Sequence, residues 1–295
     1  MYRAIWISII FLLVGCSTAP SKTGYFLDQS HPSRNTSERI QYIVLHYTVS
    51  DDAHSIKILT KGKVSSHYLI PSQPEQKNGQ PVILQLVPER LKAWHAGDSR
   101  WQYHHSLNDN SIGIEIVNEG LVRKNGQDIW QPFNDSQIDA LIPLLSDIMQ
   151  RYGIPPENVI GHSDIAPLRK QDPGRAFPWQ VLALHGIGAW PDPQTVTKHL
   201  AGRQVNAPAN VLRLQKALKF YGYAGIPQTG KLDAETKRTL RAFQLHFRPR
   251  DIDGLADAET EAIALALIEK YRDMPKFMHV LKSNKPDNSS NQQGD

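Results

Sequence analysis

Two hydrophobic rhythms divide the chain. From residue 37 to about 180 the apolar residues come in short blocks: IQYIVLH (40–46), SSHYLI (65–70), VILQLV (82–87), SIGIEIV (111–117) and ENVIGH (157–162). Their length and β-branched content predict strands. PSQPEQKNGQ (71–80), rich in Pro, Gly and Asn, predicts a hairpin-like connection between the second block and the third. In DSQIDALIPLLSDIMQRYG (135–153) the period changes, and Ile138, Leu141, Ile142, Leu145, Ile148 and Met149 share one helical face. An Asp/Ser start, Gly153 at the end and Pro155 beyond it mark the limits of that helix. A strand, a long helix and a further strand imply a crossover, and hence an α/β fold with a mixed central sheet flanked by helices.

Beyond residue 208 only the helical rhythm remains. NVLRLQKALKFYG, AETKRTLRAFQLHF and AETEAIALALIEKY predict three short amphipathic helices and a small three-helix C-terminal domain. Two of these helices follow near-copies, GKLDAET (230–236) and GLADAET (254–260), in which Asp233 and Asp257 can cap the helix start. Their offset of 24 residues marks a small internal repeat. The division is therefore an α/β domain over 37–182, a bridge over 183–207, a helical domain over 208–273 and a polar, disordered tail over 274–295.

The N-terminus follows neither rhythm. MYRAIWISIIFLLVGCS has a cation at Arg3, an apolar run from Ala4 to Val14 and then the sole cysteine, Cys16. The run is too short to cross a bilayer core of about 30 Å as a helix, so residues 1–15 are expected to be a signal peptide. Leu13-Val14-Gly15-Cys16 resembles the lipobox of bacterial lipoproteins. That resemblance implies cleavage before Cys16 and lipidation of its thiol. Ser17 in place of Asp after the Cys implies the outer membrane, with the protein facing the periplasm. Residues 16–36, rich in Ser, Thr, Pro and Asn, suit a tether. One anchor on one tether is compatible with a monomer.

Charge and cysteine content narrow the classes. The formal charge of +4 falls to +3 once residues 1–15, with Arg3, are removed. So mild an excess, without a basic stripe, gives no support to a nucleic-acid partner. A single cysteine allows no internal disulfide, so stability must come from apolar cores or a metal.

The candidate chemistry lies at strand ends. His46 closes the first apolar block, and His162 follows the last. Either alone is as compatible with packing as with ligation; two together, each just past a buried strand, raise a metal site. In SIGIEIV, alternation puts Ile112, Ile114 and Ile116 on one face and Gly113 with Glu115 on the other. A desolvated, unpaired acid is costly there, so Glu115 must face a partner or a cleft. GHSDIAPLRKQDPG (161–174) adds two carboxylates, Asp164 and Asp172, and the residues alone do not choose between them as a third ligand.

The ordered blocks VLHYT, VSSHYLI, AWHAG, NDNSIGIEI and GHSDIAPLRKQDPG resemble the zinc-dependent N-acetylmuramoyl-L-alanine amidases of the amidase_2 type, over about residues 38–180. The resemblance implies one zinc ion on His46, His162 and Asp172, with Asp164 outside the coordination sphere, helping to fix the loop. It implies Glu115 as catalytic acid–base and Lys170 as the cation that stabilises the oxyanion. Arg169 is then a solvated surface cation and His67 structural. His95 lines the substrate groove, and Asn108 and Asp109 touch the peptide or sugar. Replacing Asp172 should cost metal, and replacing Asp164 much less. LQKALKFYGY, RAFQLHF and DGLADAET resemble the PG_binding_1 domain, implying a hold on polymeric peptidoglycan. The implied reaction is hydrolysis of the amide between N-acetylmuramic acid, or its 1,6-anhydro form, and L-alanine of the stem peptide, in wall turnover or recycling. A wall-binding protein on the same fold would be expected to lack a ligand or the acid, and none is missing. A glycosidase would need two carboxylates flanking one bond.

Overall fold

The computed structural model describes residues 24–25 and 27–282; residues 1–23, 26 and 283–295 lie outside the described residues, and with them the predicted signal peptide, Cys16 and the end of the predicted tail. Residues 27–37 form no helix or strand. The sheet has five strands, β1 (Tyr42–Tyr47), β2 (Tyr68–Ile70), β3 (Leu84–Gln85), β4 (Ser111–Ile116) and β5 (Val159–Gly161). Their spatial order is β5–β1–β4–β2–β3, parallel except for the antiparallel β2–β3 pair, so the sheet is mixed as predicted. Each predicted block contains one strand. The predicted connection between β2 and β3 holds a hairpin, Gln76–Lys77 against Gln80–Pro81. It turns at Asn78 and Gly79, whose φ values of 53° and 75° suit the tight turns that such ribbons favour.

Alternation along β1 and β4 separates two cores. Ile43, Leu45, Ile112, Ile114 and Ile116 pack against Ile138, Leu141, Leu145 and Ile148 of the long helix α2 (Asp135–Tyr152), which follows α1 (Asp52–Lys61). On the opposite face Tyr42, Val44 and Ile160 join Leu214, Leu218, Tyr221, Phe243 and Phe247 from the C-terminal helices in one cluster. Burying an apolar side chain of this size contributes about 1.5–3 kcal/mol. A core drawn from both regions therefore ties 37–182 and 208–273 into one packed body.

The C-terminal region is larger than its periodicity predicted. After α3 (His162–Ile165) and α4 (Trp179–Leu184), the described residues continue through α5 (Pro193–Leu200), α6 (Val211–Tyr221), α7 (Ala234–Phe247), α8 (Ala258–Tyr271) and α9 (Met274–Lys282). The three expected helices are α6, α7 and α8, and α5 and α9 flank them among the described residues. The bridge is folded: α5 lies along α8, and Ile187 and Ala189 are buried. The first part of the expected tail is α9, capped by Asp273, whose Oδ1 accepts from Lys276 N–H at 2.8 Å. Met274, Phe277, Met278 and Leu281 form its apolar stripe, and Phe277 is fully buried; charged neighbours hid that stripe from inspection. The helix α8 is not amphipathic, being buried from Ala258 to Ile268, with Glu261 paired to Arg203 at 2.7 Å.

The repeat has a structural counterpart. Asp233 and Asp257 cap α7 and α8, accepting from Thr236 N–H and Thr260 N–H, each at 2.8 Å. Gln215 accepts from Gly230 N–H and donates to Thr236 Oγ1; Gln244 accepts from Gly254 N–H and donates to Thr260 Oγ1. Each glutamine thus ties the preceding helix to the turn that starts the next.

Candidate metal centre and active site

Strand register assembles the site. In the parallel pair β1–β4, His46 stands opposite Glu115, so both side chains leave the same face of the sheet. Leu45 stands opposite Gly161, which sets His162, the first residue past β5, beside His46. The chain then loops out and returns to Asp172, closed by Ser163 N–H donating to the Asp172 carbonyl at 2.8 Å. Nδ1 of His46, Nδ1 of His162 and Oδ2 of Asp172 make a triangle with sides of 2.9, 3.0 and 2.9 Å. All three residues are buried, at 1%, 3% and 6% exposure.

The placement of protons decides what this triangle is for. His162 Nε2–H donates to the Ala96 carbonyl at 3.0 Å, which leaves Nδ1 a bare lone pair. Ser111 Oγ–H donates to the Leu107 carbonyl, so its oxygen accepts from His95 Nε2–H at 3.2 Å. His95 Nδ1 then accepts from His46 Nε2–H at 3.0 Å, and His46 Nδ1 is also bare. Two imidazole lone pairs and a carboxylate oxygen therefore point at one another, an arrangement that repels itself until a cation lies between them. Two nitrogens and one oxygen suit zinc, with a fourth position left open. Bonds of about 2.0–2.1 Å in a tetrahedron put ligand atoms about 3.3–3.4 Å apart, so a small side-chain adjustment would admit the ion.

Burial sets the charge states. It pushes the His46 imidazole down to about 4, with His162 beside it adding to the shift and Asp172 opposing it. Burial and the neighbouring imidazoles hold His95 well below its ordinary value. Glu115 goes the other way. Burial first, then the Asp172 charge, push its carboxyl up to about 8, and Lys170 offsets part of this. Its Oε2 is buried with no hydrogen-bond partner among the described residues. Lys170 is exposed on the loop, and its charge acts on both His46 and Glu115.

Several sequence expectations change here. His95 is buried behind His46 and orients it, and is not part of a groove wall. Its ring lies where a side chain on Gly113 would be, with an added Cβ only 2.3 Å from His95 Cγ, so residue 113 must be glycine. Asn108 is also internal: its Oδ1 accepts from His95 N–H and Ala96 N–H at 3.0 and 2.8 Å and holds the AWHAG segment. Asp109 is ion-paired with Lys92, and its carbonyl accepts from Arg39. Arg169 is more than a solvated cation, because its guanidinium donates to the Ala96 and Asp98 carbonyls and ties the ligand loop to AWHAG. His67 is structural as expected, accepting from Gly113 N–H and donating to the Leu91 carbonyl. Sequence reasoning missed Ser111, whose small hydroxyl in SIGIEI carried no signal. It also missed Tyr223 and His246, which reach Asp164 from the helical region.

Residues 36–175 match the N-acetylmuramoyl-L-alanine amidase family, and residues 208–263 match the peptidoglycan binding domain family PG_binding_1. The chain is 49% identical over 275 residues to N-acetylmuramoyl-L-alanine amidase AmiD of Escherichia coli K12, covering 92% of this chain and 99% of that one. The solved complex of the E. coli protein with the substrate anhydro-N-acetylmuramic acid-L-Ala-D-gamma-Glu-L-Lys superposes with a TM-score of 0.81 at 50% identity, over 85% of this chain and 97% of that one. AMPDH3 of Pseudomonas aeruginosa, solved in complex with anhydromuramic pentapeptide, gives a TM-score of 0.74 at 42% identity, over 87% of this chain and all of that one.

Proposed function

The chain belongs to the N-acetylmuramoyl-L-alanine amidase family and is such an enzyme, and we propose that it works with one zinc ion held by His46, His162 and Asp172. The observation that carries this reading is the convergence of three bare ligand atoms beside the orphaned Glu115 carboxyl. When bound, zinc lowers the pKa of a water molecule and polarises the scissile carbonyl. The chain's own residues supply the rest. Glu115 accepts a proton from the attacking water and returns it to the leaving amine of L-alanine. A carboxyl held beside the reacting atoms can serve as base in the first step and as acid in the second. Lys170, carried by the ligand loop, would supply the cation that offsets negative charge developing on the carbonyl oxygen.

The substrate is the muramic acid–L-alanine amide of peptidoglycan fragments. The anhydro-muropeptides bound by the two solved relatives support acceptance of the 1,6-anhydro form. Cys16, at the end of the apolar run, supports a lipid-anchored monomer on the periplasmic face of the outer membrane. Labelling with a radioactive fatty acid should mark the wild type and not Cys16→Ala; equal labelling would remove the anchor.

Mass spectrometry of soluble muropeptides after digestion, with and without a zinc chelator, tests the chemistry. Release of free stem peptide, abolished by chelator and restored by zinc, is the expected result. Release that persists after zinc has been stripped, verified by metal analysis, would overturn the metal assignment.

A further inference from the structure

Behind the ligand loop stands a second buried carboxylate, and most of its partners come from elsewhere in the chain. Asp164, two residues after His162, has a fully buried side chain. Its oxygens accept from Gly161 N–H at 2.7 Å, from the Tyr223 hydroxyl at 2.6 Å and from His246 Nδ1–H at 2.8 Å. Tyr223 follows α6 and His246 lies on α7, both in the helical region. The far end of the loop is tied to the same region, with the Arg175 guanidinium donating to the Arg250 carbonyl at 3.0 Å.

The His246 ring is stacked on Trp179 at 3.7 Å between centroids and on Phe247 at 3.8 Å. Its Nε2 is buried without a partner among the described residues. An apolar ring would fill that slot without leaving a polar atom unpaired. The histidine is explained by its one hydrogen bond, to Asp164. A cap for α3 does not account for this, because α3 is a single turn of four residues and Asp164 accepts the Gly161 N–H at its start without help from His246.

We propose that the helical region is a positioning element of the metal centre: Tyr223 and His246 lock the loop from His162 to Asp172 through Asp164, so this region sets metal affinity as well as any grip on polymer. The inference rests on His46, His162 and Asp172 being the zinc ligands. A region that acted only as a tether would alter turnover of sacculi and leave soluble substrate untouched.

The test uses the full chain with Tyr223→Phe, His246→Phe, the double variant and Phe277→Ala. Phe277 is buried in the same region on α9, so its loss destabilises the helices without touching Asp164. Zinc affinity is read by competition with a chromophoric chelator, well below each thermal midpoint. Turnover of a soluble anhydro-muropeptide is read beside it. The double variant should bind zinc roughly tenfold or more weakly, as is typical when a group supporting a ligand is lost. Tyr223→Phe should show part of that loss, and Phe277→Ala should lower the midpoint with affinity unchanged. Wild-type affinity in the double variant, or an equal loss in Phe277→Ala, overturns the proposal. A wild-type chain with no affinity for zinc would instead strike the ligand assignment, and this inference with it.

Discussion

The front and back of one loop hold two aspartates that are alike in burial and opposite in circumstance. Asp172 faces two imidazole nitrogens whose protons lie on the other side of their rings. Asp164 faces an amide N–H, a phenol O–H and an imidazole N–H. A buried carboxylate among donors is satisfied as it stands, whereas one among lone pairs requires a cation. Burial and residue type do not distinguish them; the hydrogen atoms of their neighbours do.

Glu115→Gln should have the largest effect, since it leaves both walls of the loop intact and removes only proton transfer. Muropeptide turnover should fall roughly 100- to 10,000-fold with zinc content unchanged. A variant that loses its zinc would show that Glu115 belongs to the front wall and would blur the contrast. Asp172→Asn comes next, with zinc affinity expected to drop on the order of 100-fold or more, because one of three protein ligands loses its charge. The folded metal-free protein should tolerate this change well.

Asp164→Asn should differ in kind, costing stability even without metal beside a smaller loss of zinc affinity through the loosened loop. Three donors lose a charged acceptor, and an amide hydrogen is turned against them, at about 1–3 kcal/mol for each group left unpaired. Chemical denaturation of the metal-free variants reads the contrast directly. If Asp172→Asn proved the more destabilising of the two, the assignment of donors and lone pairs would be wrong. Ser111→Ala should have a smaller effect, a loss of at most about tenfold in zinc affinity, because it frees His95 and so loosens His46.

Glu89 provides the smallest effect and a control remote from the loop. Like Asp164 it is surrounded by donors, accepting from Arg151, Tyr68 and Tyr152. Its hydrogen bonds to Arg151, set against burial and helped by the two tyrosines, hold the carboxyl at about 2. The fold therefore favours the ionised form. The stability this confers is complete above the ordinary carboxylate value of 4.5 and is lost as pH falls from there towards 2. Glu89→Gln should flatten the acid limb of stability in that window, and identical slopes for variant and wild type would count against it.

Asp164, expected to help fix the loop from outside the coordination sphere, shows where sequence reasoning stops. Placing Asp164 outside the coordination sphere agrees with the geometry, but its partners, Tyr223 and His246, lie 59 and 82 residues further on. No periodicity links them to the loop. The same holds for His95, where AWHAG drew attention to the residue while its role depended on Ser111 and on the space left by Gly113. Arg169 looked like one more surface cation because its carbonyl partners, Ala96 and Asp98, come from another segment.

What the sequence determined by itself were features written in local spacing. They include the five strand blocks, the long crossover helix, the capped repeat in the helical region, the strand-end positions of His46 and His162 and the face that carries Glu115. Period and capping act over a few residues, and such signals survive without knowledge of the fold. Tertiary structure alone decided which nitrogen of each histidine is bare, which aspartate needs a cation and which residues stand behind the loop. Those outcomes depend on hydrogen-bond partners brought together by the parallel register of β5, β1 and β4 and by the packing of the helices on the sheet face that bears the site.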